Sequence, residues 1–140
     1  MKFLLGFSLS VALFSCSLSK NTPQTKLLNN TTFLLTEIST DKTYGYSEKN
    51  PVEVGGVDKS EGPNNERRYL NGLAGPNGEK ISYYRAGSCC ALKSENGFMG
   101  MALLDNYQVT YKGSPDTVSI YLNMYDYGPL KAPVGFTIKN

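Results

Sequence analysis

The strongest constraint on the fold is a pair of alternating segments on either side of one turn. Residues 103–112 and 117–127 flank the sequence Gly-Ser-Pro-Asp at 113–116. In the second segment, apolar residues recur at every second position from Val118 to Met124. Because side chains of a strand point alternately to the two faces of a sheet, this pattern predicts an antiparallel β-hairpin.

Turn signals and alternation divide the rest of the chain into short elements. Asparagine at position 64 or 65 is expected to cap a short helix that ends near Leu73. Further strands are predicted at 32–39, 52–54, 79–86 and 136–139. The remaining segments, above all 40–63 and the cysteine-bearing stretch after Ala86, are expected to be loops. The predicted class is α+β, mostly β, with a small antiparallel sheet of about four to six strands, one short helix and long loops.

The N-terminus has the layout of an export signal. Lys2 precedes an apolar run at 3–14, and a small residue, Ser15, precedes Cys16. The run is shorter than the roughly 20 apolar residues that a membrane-spanning helix needs. We therefore predict that this segment is cleaved off after export.

The residues around the cleavage site are similar to a lipoprotein signal, in which a diacylglyceride is attached to the cysteine. Leu13 and Ser15 occupy the expected positions before Cys16. We predict a signal peptide at 1–15, a lipidated Cys16 with a flexible tether at 16–31, and a single globular domain at 32–140. Several acyl chains together would hold the protein on a membrane lastingly.

Composition excludes some partners and leaves others open. The 14 basic and 12 acidic residues are intermixed, so nothing indicates a nucleic-acid surface. Ten tyrosines and six phenylalanines without tryptophan fit a sheet-rich domain. Tyrosine also suits binding surfaces, so Tyr44 and Tyr46 in the long loop are candidate ligand contacts.

The chain contains no histidine, which excludes histidine-dependent triads and histidine metal sites. Glycine-rich phosphate loops and the nucleophile-elbow pentapeptide are also missing from the sequence. We therefore predict no catalytic set, no metal and no cofactor. Asp105 and Asp126, each near a predicted strand end, could form a carboxylate pair of the glycosidase kind. The alternative interpretation is that twelve scattered acidic residues supply such a pair by chance.

Cys89 and Cys90 are adjacent and have three interpretations. If Cys16 is acylated, they can pair only with each other or with another molecule. Adjacent α-carbons lie about 3.8 Å apart, below the usual disulfide range of about 4.4–6.8 Å, so a bridge between them would be strained. The pair is either two buried thiols, a vicinal disulfide that stiffens a loop, or a reactive thiol whose thiolate Arg85 favours.

The only three arginines of the chain, Arg67, Arg68 and Arg85, are further candidate ligand contacts. If their guanidinium groups converge, they would grip a carboxylate or phosphate. Separate ion pairs on the surface are the alternative interpretation.

Three segments, 40–56, 62–71 and 84–90, resemble a family of small Bacteroidota (flavobacterial) lipoproteins of unestablished function. Some members are labelled 2-dehydro-3-deoxyphosphooctonate aldolase, a barrel enzyme. A barrel typically needs about 250 residues, so this chain is too short for one. The resemblance therefore implies a cell-envelope location and transfers no active residue. Residues 17–21 contain no acid, and in this group that favours the periplasmic side of the outer membrane.

These observations predict a non-enzymatic accessory or binding lipoprotein of the bacterial outer membrane, lipid-anchored and facing the periplasm. Its expected partner is an envelope protein or a glycan. One alternative is a small enzyme that depends on the thiols of Cys89 and Cys90 or on carboxylates. Another is a structural subunit of an outer-membrane assembly.

Overall fold

A computed structural model describes residues 25–140, so the signal peptide, Cys16 and most of the predicted tether lie outside the described residues. Eight strands, one α-helix and one short 3₁₀ helix form this part of the chain. The predicted α+β, mostly β class is confirmed. The strands are β1 Leu27–Asn29, β2 Thr32–Phe33, β3 Val52–Glu53, β4 Leu73–Ala74, β5 Ile81–Phe98, β6 Met101–Tyr111, β7 Val118–Asn123 and β8 Thr137–Ile138. The helices are the 3₁₀ helix Val57–Lys59 and α1 Gly62–Asn71.

The main sheet has four strands in the order β3-β7-β6-β5. The predicted hairpin is confirmed, since β6 and β7 pair antiparallel with Tyr107 opposite Ile120. β3 was expected in an antiparallel sheet but pairs parallel to β7, with Val52 opposite Leu122. A tight turn forces the two strands that it joins to run antiparallel. No such turn joins β3 to β7, so these strands can pair in parallel.

One face of helix α1 packs into the core. Tyr69 and Leu70 are fully buried, as are Ile120 and Leu122 of the sheet. The predicted helix is confirmed, but it begins at Gly62 and neither predicted asparagine caps it. Proline in the first turn accounts for the earlier start, because its fixed φ suits a helix start and its missing N–H is not needed there.

Strand β5 is much longer than the predicted strand at 79–86. It continues through both cysteines to Phe98. Its pairing with β6 is interrupted by single extra residues at Ala86 and Cys90 and by a longer irregularity between Lys93 and Phe98. Bulges of this kind let a turn-rich sequence stay in a strand, because the extra residue is left unpaired while the ladder resumes beyond it. The predicted cysteine loop is therefore a bulged strand.

Near the N-terminal end of the described chain, the predicted strand at 32–39 is reduced to β2, with one isolated bridge between Ile38 and Ala132. The tether was predicted to continue to Thr31, whereas Leu27–Asn29 form β1 and pair with β2. Pairing of β1 with β2 satisfies the backbone hydrogen-bonding groups of this segment, which composition alone had placed in the flexible tether. Within residues 25–140, no helix has the length and apolarity needed to cross a membrane.

Candidate functional site

A buried acidic cluster lies between α1 and β6. Glu66, on α1, is fully buried beside the apolar residues Tyr69 and Leu70. The Tyr107 hydroxyl donates a hydrogen bond to Glu66 Oε2 at 3.0 Å. Glu66 Oε1 accepts no hydrogen bond from residues 25–140. A buried carboxyl whose second oxygen receives no donor is costly if it is charged, whereas the protonated acid can donate a hydrogen bond to Asp105. This environment therefore favours the protonated acid.

Asp105 lies next to Glu66 and has the opposite surroundings. Its carboxylate is 3% exposed and accepts two hydrogen bonds from Arg85, Nε to Oδ2 at 2.7 Å and Nη2 to Oδ1 at 2.9 Å. The Ser88 hydroxyl donates to Oδ1 at 2.9 Å. This two-pronged pairing stabilises the charged carboxylate and fixes the direction of the Arg85 side chain.

The two acids therefore differ in charge at neutral pH. Burial, followed by the charge of Asp105, raises the pKa of Glu66 to about 8. Burial would also raise the pKa of Asp105, but the hydrogen bonds from Arg85 and Ser88 outweigh it and lower that pKa. The cluster thus holds one neutral acid and one paired carboxylate, both closed off from solvent.

Cys89 and Cys90 form a vicinal disulfide, with their α-carbons 3.7 Å apart. Of the three interpretations left open by the sequence, the structure selects this one. Cys90 is the extra residue of a β5 bulge and has a positive φ of 48°. Both residues are half-buried. Because the Arg85 guanidinium binds Asp105, it is not available to stabilise a neighbouring thiolate.

The predicted carboxylate pair does not form a joint site. Asp126 accepts hydrogen bonds from Ser94 at 2.7 Å, from Asn96 at 2.7 Å and from Asn123 at 2.8 Å. Asp105 binds a separate set of partners on β5. Each carboxylate is therefore used to hold local structure.

The three arginines do not converge on one ligand site. Arg85 binds Asp105, whereas Arg68 Nη1 binds Glu61 at 2.7 Å and its Nε donates to the Asn30 carbonyl at 3.0 Å. Arg67 is exposed, and its guanidinium binds the side chain of Asn64.

Arg67 and Arg68 do share one shallow polar depression, of about 360 Å³, which we name the Arg67 cavity. Its walls come from α1 and from the turn between β1 and β2. The other lining residues are Asn30, Thr31, Asn64 and Asn71. All six side chains carry hydrogen-bonding groups, so the cavity suits a polar ligand.

Tyr44 and Tyr46, predicted as ligand contacts, are packed against the core. The Tyr44 hydroxyl donates to the Pro129 carbonyl at 3.1 Å and accepts from the Lys131 amide at 3.2 Å. The Tyr46 hydroxyl donates to the Val134 carbonyl. Burial raises the pKa of Tyr44 to about 12. These rings attach the long loop to the C-terminal segment, which gives them a structural role.

Sequence reasoning missed Glu66, although one signal was present. Glu66 stands three and four positions before Tyr69 and Leu70, on the face of α1 that is buried. A charged residue on the apolar face of a helix is the pattern that could have revealed it. The asparagines of the Arg67 cavity gave no such signal, because they come from two elements that only the tertiary structure joins.

In the described part of the chain, no group of three or more acidic or cysteine side chains is arranged to hold a metal ion. Comparison with protein-family models, curated proteins and solved structures finds no match to this chain.

Proposed function

We propose that this chain is a lipid-anchored, non-enzymatic binding lipoprotein of the bacterial outer membrane that faces the periplasm. Residues 1–15 would be removed as a signal peptide, and Cys16 would carry the lipid. The ligand that fits the geometry best is an acidic glycan, bound in the Arg67 cavity. An envelope protein is the other partner that the sequence suggests, and the binding test below separates the two.

The observation that carries the proposal is the donor set of the Arg67 cavity. Arg67 is exposed, its guanidinium binds only a neutral amide among residues 25–140, and Asn64 and Asn71 stand beside it. A guanidinium fork matches a carboxylate. Asn64 and Asn71 already bond to Glu61, Thr31 and Tyr83, and the remaining N–H and lone pair of each amide match sugar hydroxyls. Arg68 is already paired with Glu61, so Arg67 would supply the charge that recognises the ligand.

The same geometry gives less support to the enzyme alternatives. A thiol enzyme needs a thiolate with a positive neighbour, but the cysteines form a disulfide and Arg85 is paired with Asp105. A carboxylate enzyme needs acids that reach a substrate, and Glu66 and Asp105 are buried. A structural subunit of an outer-membrane assembly would need no ligand in the cavity, so the binding test addresses that alternative too.

The anchor is tested by the intact mass of protein purified from bacterial membranes, with alkylation before reduction. We expect an acylated Cys16, loss of residues 1–15 and no alkylation of Cys89 or Cys90. An unacylated chain with two freely alkylated thiols would refute the anchor and favour the thiol enzyme.

The ligand is tested by calorimetric titration of the full chain with short oligouronates. We expect binding that Arg67→Gln weakens by about tenfold, because one charge-assisted contact is lost. The matched control is Lys112→Gln, which removes a charge from the exposed turn after β6 and should bind normally. If Arg67→Gln binds the oligouronates as the unchanged chain does, or if the unchanged chain binds none, the glycan proposal is wrong.

A further inference from the structure

The end of the β5–β6 hairpin exposes a group of large apolar side chains. β7 pairs with β6 only from Asp105 to Val109, so the outer part of β6 is paired with β5 alone. Alternate residues of this part, Ala102 and Leu104, are fully buried. The exposed set, which we name the apolar tip, consists of Phe98 (81% exposed), Met99 (86%), Met101 (41%) and Leu103 (45%).

The turn of this hairpin is occupied by a residue that fits it poorly. Phe98 pairs with Met101, and the two residues between them, Met99 and Gly100, both have positive φ, 53° and 77°. Two-residue turns with positive φ at both positions favour Asn-Gly or Asp-Gly. Met99 therefore carries backbone strain and also exposes a large apolar side chain. Two unfavourable features at one residue indicate a function that compensates for them.

The apolar tip is held in place by specific contacts at its base. Asp126 Oδ1 accepts hydrogen bonds from Ser94 and Asn96, both at 2.7 Å. Gly97 lies so close to the Met101 carbonyl that no other residue would fit there without a shift. The Ser94 amide donates to the Gly100 carbonyl at 2.9 Å. These contacts fix the position of the tip relative to the sheet.

We propose that the apolar tip inserts into the bilayer that carries the lipid anchor, which gives the domain a second membrane contact. This inference rests on the proposed anchor at Cys16. A hairpin end is convex, so it fits a fluid apolar phase without needing a preformed pocket. Phe98 and Met99 are the side chains that would enter the acyl region.

The reach of the chain agrees with this proposal. Nine residue steps separate Cys16 from Thr25, so even a fully extended segment keeps Thr25 within about 32 Å of an anchored Cys16. Thr25 and Tyr127 line the same cavity, and Asp126 next to Tyr127 holds the base of the tip. The described chain therefore begins near the segment that holds the base of the apolar tip.

The charges beside the tip indicate the kind of lipid. Lys93 lies opposite Met101, and Glu95 is exposed nearby, so the flanks carry one charge of each sign. Attraction to anionic headgroups is not needed, and the contact would be made by apolar burial. We expect insertion into zwitterionic phosphatidylcholine, with little dependence on salt.

The test uses tryptophan, which the sequence lacks. Phe98→Trp and the control Tyr84→Trp, in which the probe replaces a residue that is 61% exposed at the other end of β5, are made in the full chain. Both proteins are purified from membranes and reconstituted into phosphatidylcholine vesicles with and without brominated acyl chains. Bromine should quench the Phe98→Trp emission by about half or more, and the control little, because only the first probe lies in the acyl region.

A third protein carries Phe98→Trp together with Met99→Asn. Asparagine suits the turn, so this protein should fold at least as well, with an equal or higher thermal midpoint, yet show weaker quenching because the tip is less apolar. If its quenching equals that of Phe98→Trp alone, Met99 does not enter the bilayer and the proposal is wrong in that part.

Intact mass, measured on the same samples, separates the two proposals. An acylated protein whose Phe98→Trp emission is not quenched overturns the membrane contact and leaves the anchor standing. An unacylated protein that is quenched when vesicles are added supports the tip and refutes the anchor. If the Phe98→Trp emission is not quenched by bromine and shifts to the blue only when envelope proteins are added, the tip binds a protein pocket and the bilayer proposal is wrong.

Discussion

Among single residues, Glu66 bears most directly on how stability depends on conditions. It is a fully buried acid that accepts a hydrogen bond from Tyr107 and lies within hydrogen-bonding contact of the Asp105 carboxylate. Its proton is therefore part of the folded structure. Asp105 remains charged because Arg85 and Ser88 bind it.

The raised pKa of Glu66 predicts that the protein loses stability as the pH rises. Between the ordinary value of 4.5 and about 8, the folded state keeps a proton that the unfolded state releases. The free energy of unfolding should thus fall by about 1.4 kcal/mol per pH unit in that window. The pKa of Asp105 is lowered, so its titration changes the free energy of unfolding only at more acidic pH. Urea unfolding at several pH values measures this slope.

The control for this prediction is Glu66→Gln, which imitates the neutral acid and still accepts a hydrogen bond from Tyr107. We expect this variant to lack most of the slope and to be at least as stable as the unchanged chain above pH 7. Parallel pH curves for the two proteins would contradict a protonated Glu66.

Met99 permits a second test at the residue scale. Because Met99 has a φ of 53° in a two-residue turn, Met99→Asn should raise the free energy of unfolding by about 0.5–1 kcal/mol. Urea unfolding of the purified chain would detect this gain. Met101→Asn is the matched control, since it makes the same change at a neighbouring strand residue and should not stabilise the protein. A loss of stability in Met99→Asn would show that the turn does not favour asparagine.

Among the elements, β5 stands out because it is a long strand at the edge of the main sheet. Exposed edges are open to pairing with other chains, and bulges are one way in which proteins prevent it. β5 has extra residues at Ala86 and Cys90. The disulfide joins Cys90, the extra residue of the second bulge, to the preceding residue Cys89. The disulfide thus has a structural role that needs no redox chemistry.

The positive φ of Cys90 leads to a prediction for this bulge. Two variants without the disulfide are compared, one with Cys89→Ala and Cys90→Gly, the other with Cys89→Ala and Cys90→Ala. Glycine adopts a φ of 48° without steric cost, so the first variant should be more stable by about 1 kcal/mol. Denaturant unfolding of both variants gives the difference. Equal stabilities would mean that the bulge relaxes once the disulfide is absent.

At the scale of the whole molecule, the C-terminal segment completes the core. β8 pairs with β4, and the Lys139 amide donates to the Gly72 carbonyl at 2.9 Å. Phe136 is 4% exposed and packs edge-on against Tyr111, with ring centroids 6.4 Å apart. The chain end is thereby attached to the region just after α1.

This arrangement predicts a large effect for one substitution near the chain end. Phe136→Ala should lower the free energy of unfolding by about 3–5 kcal/mol, because it leaves a cavity in the core. The control Tyr84→Ala removes a ring that is 61% exposed and should change stability by less than about 0.5 kcal/mol. Thermal and urea unfolding measure both. A small effect of Phe136→Ala would mean that the tail is not part of the cooperative core.

The sequence by itself determined the features that depend on neighbours along the chain. Alternation around one turn predicted the β6–β7 hairpin. A capping asparagine at 64 or 65 predicted α1, although the helix begins earlier, at Gly62. The mostly β class followed from the same local patterns. Adjacent cysteines limited the disulfide to one intramolecular partner if Cys16 is acylated. These features could be predicted because periodicity and turn chemistry are set by residues only a few positions apart.

Only the tertiary structure decided the features that depend on residues distant in sequence. The continuation of β5 through the cysteines required β6 as its partner, and the parallel direction of β3 required β7. Tyr44 and Tyr46 became structural because the C-terminal segment lies against them. The pKa of Glu66 is likewise raised by burial and by Asp105, 39 positions away in the chain. Burial and charge at a site are sums over spatial neighbours, and only folding determines which residues those are.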